Sequence, residues 1–91
     1  MGSTSTKSLR RAGLERLLGL LDELRSFSEL RERRPGMFSR GSSPFLHFHY
    51  NRDGSIVADV QLSRRAITRF DVSDEAGQQE VLAVVEDHLA G

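Results

Sequence analysis

The chain has 91 residues, no cysteine, and 13 Lys/Arg against 13 Asp/Glu, for a formal charge of zero. The missing cysteines rule out disulfides, thiolate zinc sites and cysteine nucleophiles, and in so small a domain they favour a reducing, cytoplasmic compartment. No apolar run reaches the ~18 residues that span a bilayer, so we expect one soluble domain with no membrane segment.

Met1–Lys7 is polar, Gly/Ser/Thr-rich and without an apolar anchor, and is predicted to be a flexible tail. Residues 8–91 then form the domain. Ser8–Arg25 is predicted to be a helix, because Leu14, Leu17, Leu18, Leu21 and Leu24 fall on one stripe. Leu9 and Leu20 lie outside that stripe and are the positions free for a homodimer contact. Ser26–Arg34 has two readings. Ser26-x-x-Glu29 fits a capping box opening a short helix, and Glu29–Arg34 fits an extended segment with Leu30 inward. We take the extended reading. Met37–Arg40 is predicted to be a short strand and Gly41–Pro44 a turn.

Phe45–Tyr50 and Ser55–Leu62 carry the strongest local pattern, a hairpin across Asn51-Arg52-Asp53-Gly54. Asn first, Asp third and Gly fourth suit a type I turn followed by a left-handed glycine. The resulting register sets Leu46 opposite Val60, His47 opposite Asp59 and Phe48 opposite Ala58. It gathers Leu46, Phe48, Tyr50, Ile56, Ala58, Val60 and Leu62 on one face. Phe45, His47, His49, Val57, Asp59 and Gln61 fall on the other, as in a sheet with one buried side.

Ile67–Val72 is predicted to be a further strand. Ser73 is expected to cap a last helix over Asp74–Ala90, with Val81, Leu82, Val85 and Leu89 as its buried stripe. The expected fold is α+β: an N-terminal helix, a three- to four-stranded mostly antiparallel sheet and a C-terminal helix. Both helices are expected on one sheet face.

The open face would carry the chemistry. On a strand, His47 and His49 share a face, so both imidazoles can reach one divalent metal such as zinc. Asp59 is the candidate third ligand or the orienting carboxylate. The same group could do acid–base work, since a histidine beside a carboxylate suits proton transfer. No phosphate loop, G-x-S-x-G or H-E-x-x-H accompanies it. His88 sits in the last helical turn, where the helix dipole explains it. Arg31, Arg33, Arg34, Arg40, Arg64 and Arg65, with Phe38 and Phe45, offer a route to single-stranded nucleic acid. Against that route, residues 1–45 carry nine Lys/Arg to five Asp/Glu and residues 46–91 four to eight, so the halves can neutralise each other.

At Phe45-Leu46-His47-Phe48-His49, with Ala58-Asp59-Val60 and Pro35–Phe38, the chain resembles a group of short uncharacterised bacterial α/β proteins over about Leu14–Leu89. The order of elements is also similar to that of YjbR-like small domains. The first group carries no activity to transfer, and element order alone assigns none. The residues therefore favour a non-enzymatic binding or interaction module without a cofactor, meeting a protein or small molecule through His47, His49, Asp59 and Arg69. The alternatives are a metal-dependent or acid–base enzyme on His47, His49 and Asp59, and, third, a nucleic-acid-binding domain.

Overall fold

The computed structural model describes residues 6–91. Most of the predicted tail lies outside the described residues, but Thr6 and Lys7 belong to helix α1, Thr6–Arg16. The expected single first helix is two. At Leu17 the backbone tightens (φ −105°, ψ 8°) and its N–H donates to the Leu14 carbonyl at 3.1 Å, an i to i−3 bond that bends the chain. Helix α2, Leu18–Arg25, continues beyond it. The Ser26 hydroxyl donates to the Glu23 carbonyl at 2.6 Å, so Ser26 closes a helix instead of opening one. The extended reading of the next segment holds.

Five strands follow: β1 Leu30–Arg34, β2 Met37–Arg40, β3 Ser43–Tyr50, β4 Ile56–Val60 and β5 Thr68–Asp71. They form one antiparallel sheet in chain order. The sheet exceeds the expected three to four strands because β1 is fastened to α2. Leu30 is buried, and Arg25 grips the Glu32 carboxylate through two bonds of 2.6 and 3.0 Å. Helix α3, Glu75–Ala90, ends the chain. Its cap is Asp74, whose carboxylate accepts from Gly77 N–H at 2.9 Å, and not the predicted Ser73. The Ser73 hydroxyl instead accepts from Ile56 N–H at 2.9 Å, tying the start of α3 to β4.

The hairpin register is the predicted one, with Leu46 opposite Val60, His47 opposite Asp59 and Phe48 opposite Ala58. Gly54 N–H donates to the Asn51 carbonyl at 3.0 Å and Asn51 N–H to the Ser55 carbonyl at 2.9 Å. Asp53 accepts from both the Ser55 N–H and its hydroxyl. Gly54 has φ +91°, where a β-branched residue is strained. Gly54→Val should therefore lower stability by more than ~1 kcal/mol in chemical denaturation; an unchanged midpoint would show that the turn does not hold the register.

Leu17, Leu21 and Leu24 of the bent helical segment and Val81 and Val85 of α3 form one core with Leu46, Phe48, Ile56, Ala58 and Val60. The helices thus cover the apolar face. Two expectations fail within this core. Leu20, assigned outside the stripe and free for a dimer contact, is 2% exposed, while Leu18 is 57% exposed. The cause is the packing of α3 alongside α2, which widens the buried arc on the Leu20 side. Phe45 was placed on the open face by alternation, yet it is buried. The β2–β3 register jumps from Phe38↔Leu46 to Ser39↔Pro44. Phe45 is the extra residue of that bulge, and a bulge re-aims its side chain. Its ring stacks on His88 at 5.7 Å between centroids. No helix among the described residues is long and apolar enough to cross a membrane.

Candidate functional site

The uncovered sheet face holds a row of polar groups at one level of three neighbouring strands. His47 of β3 pairs with Asp59 of β4, and Asp59 pairs with Arg69 of β5. His49 lies one rung along on the same face. Strand alternation makes this set, and the antiparallel ladder brings its members together.

The Asp59 side chain is 6% exposed, beneath the half-open rings of His47 and His49. Its Oδ1 accepts from Arg69 Nε at 2.9 Å, and its Oδ2 takes a longer contact from the same guanidinium at 3.4 Å. The guanidinium beside it holds the Asp59 carboxyl below its ordinary range, against the opposing effect of burial, and the bond to His49 adds to the lowering. Asp59 is therefore an anion at neutral pH, with Oδ2 turned toward the histidines.

His49 Nε2 lies 2.9 Å from Asp59 Oδ2, His47 Nε2 lies 3.7 Å from the same oxygen, and the two ring nitrogens are 3.2 Å apart. The rings meet edge to face. The sequence paired Asp59 with His47, its partner across the ladder. In space the diagonal His49 comes closer, because diagonal neighbours on a ladder are within reach of long side chains.

Each ring nitrogen has a single in-plane direction, occupied by either a hydrogen or a lone pair. Here His49 Nε2 faces two groups at once, the His47 nitrogen and the Asp59 oxygen. One hydrogen cannot lie along both lines. A single cation at the centre would satisfy all three atoms. The fit can be checked by distance. Ligands at the usual zinc distances in a tetrahedron lie about 3.3 Å from each other. The triangle measured here has sides of 2.9, 3.2 and 3.7 Å. Three protein ligands would leave one position on the solvent side. Arg69 would then hold the ligating carboxylate in place, at the cost of a positive charge nearby.

The other candidates are not drawn in. His88 belongs to the Phe45 contact and is outside this group. Arg33 donates to the Ser39 hydroxyl at 2.9 Å and the Gly41 carbonyl at 3.2 Å, which fixes an edge turn. Phe38 and Phe45 are both buried, so neither offers a ring for stacking bases, and the arginines around them have no aromatic platform. One set of residues escaped the sequence reading: Arg10, Arg11, Leu18 and Met37 meet beside the two histidines. No local pattern announces them, since Met37 of β2 meets Arg10, Arg11 and Leu18 only through the fold. In comparisons with known proteins, no family model, no curated protein and no solved structure matches this chain, so the chemistry of the site rests on its own geometry.

Proposed function

We propose that the protein is a small metal-binding module whose open sheet face takes a divalent cation of the zinc class. His47 Nε2, His49 Nε2 and Asp59 Oδ2 are the ligands, and Arg69 positions the carboxylate. The observation that carries this reading is the convergence of three donor atoms on one point, with separations close to a tetrahedral edge. Imidazole and carboxylate are ordinary zinc ligands, and the absence of thiolates points away from softer cations. The free fourth position is where a water, a substrate or a partner's side chain would bind, so a hydrolytic role is the second reading. It ranks below the first because the site lies on an open face, whereas catalysis gains from a partly enclosed, desolvated one.

A zinc titration near pH ~7.5, where free imidazole is mostly neutral, tests this through histidine NMR signals. Both rings should shift together, saturate at one equivalent, and stop responding in His47→Ala. If neither ring responds at equimolar zinc, the metal reading falls and the face is left as a metal-free binding surface.

A further inference from the structure

Beside the histidines, a groove of about 740 Å³ runs between α1 and the β1–β2 turn, within the size range of small-molecule sites. Its apolar part is unusual for this chain. Only three large apolar side chains are exposed among the described residues, and two of them, Leu18 at 57% and Met37 at 47%, line this groove. Leu14 and Tyr50 continue the apolar surface.

Its charge is equally one-sided. Lys7, Arg10, Arg11 and Arg34 line the groove against one carboxylate, Glu15. None of these four cations forms an ion pair with a described carboxylate, in contrast to Arg25 and Arg69. Residues 1–5 contain no acidic side chain that could neutralise them. In a chain with no net charge, four unpaired cations around exposed apolar side chains have a defined complement: an anionic head on an apolar body. Arginine forks suit the oxygens of carboxylates and phosphates.

We propose that this groove binds a small amphiphilic anion. Arg10 and Arg11 hold a carboxylate or phosphate head, and Leu14, Leu18 and Met37 receive the apolar body. A single bound molecule fits better than a membrane surface, because the apolar residues come from three elements, α1, α2 and β2, and line a concavity, whereas a membrane-lying helix presents one continuous stripe. His47 and His49 line the groove but Asp59 does not, so the probes are titrated without metal and the proposal does not depend on one.

The test uses four probes below their aggregation concentrations: decanoate, decyl phosphate, decanol and inorganic phosphate, with binding read by calorimetry and amide shifts. At least one of the two anionic amphiphiles should bind saturably at one equivalent. It should bind at least about tenfold tighter than decanol or inorganic phosphate, a ratio equal to ~1.4 kcal/mol, and the tighter of the two identifies the head. Arg10→Gln/Arg11→Gln, both exposed and so compatible with an intact fold, should remove that margin over decanol. Leu18→Asn should weaken every amphiphile. Asp59→Asn should leave probe binding unchanged even where zinc binding is lost, which separates this site from the metal reading. Decanol binding as tightly as the anions, or full binding in the double arginine variant, overturns the proposal. So does binding to phosphatidylglycerol vesicles without saturable binding of either anionic probe, which would make the patch a lipid-docking surface.

Discussion

Leu21→Ala should lower the unfolding free energy by ~2–5 kcal/mol, and Leu20→Ala by a similar amount, because each deletes a buried isobutyl group and leaves a cavity. Both side chains are at most 2% exposed and join the core shared by α2, α3 and the sheet. Leu18→Ala should change stability by no more than about 0.5 kcal/mol, as for an exposed position. For a chain of this size, whose whole stability is roughly 5–13 kcal/mol, the first two losses are severe. Urea denaturation of the three variants decides the matter. Equal losses at Leu18 and Leu20 would mean that α2 packs with a different face inward.

The second large effect concerns the site. Asp59→Asn keeps the shape of the side chain and removes its charge, and zinc affinity should fall by about 100-fold or more. Losing only the positioning guanidinium, in Arg69→Ala, should cost about 10–100-fold, the range for residues that orient a ligand. The pH dependence separates the groups. The Asp59 carboxyl is held below its ordinary value by Arg69. A carboxylate with a lowered folded-state pKa contributes stability above the unfolded value of ~3.9, and that contribution is lost as pH falls through the lower folded value. Asp59 therefore stays ionised at every pH from 5 upward, and its effect on stability is confined to acid below about 4. A decline in zinc affinity between pH ~7.5 and ~5.5 therefore does not come from protonation of Asp59. Calorimetry across that interval, with wild type and Asp59→Asn side by side, measures both effects. Undiminished zinc binding in Asp59→Asn would remove the carboxylate from the ligand set.

Much of this architecture is written locally. Asn51-Arg52-Asp53-Gly54 fixes the β3–β4 turn through bonds made within five residues, so the register of His47 with Asp59 follows from the sequence. Strand alternation then puts His47, His49 and Asp59 on one face. The Val81, Val85 and Leu89 stripe identifies α3 for the same reason, since helical periodicity is a short-range property. The first helix was legible as helical, but its inward face was not. Five leucines fit one stripe, and the choice between Leu18 and Leu20 depends on where α3 lies.

Local sequence was enough for the hairpin, its register, the two helical regions and the shared face of His47, His49 and Asp59, because each follows from contacts between near neighbours or from a fixed period. The tertiary structure decided the rest. It turned Phe45 into the core through a bulge set by pairing with β2, and it buried Leu20 under α3. It also brought His49 closer to Asp59 than its ladder partner His47, and set four unpaired cations around Leu18 and Met37. These outcomes depend on groups distant in the chain, whose approach is governed by packing between elements and is not encoded in any local spacing.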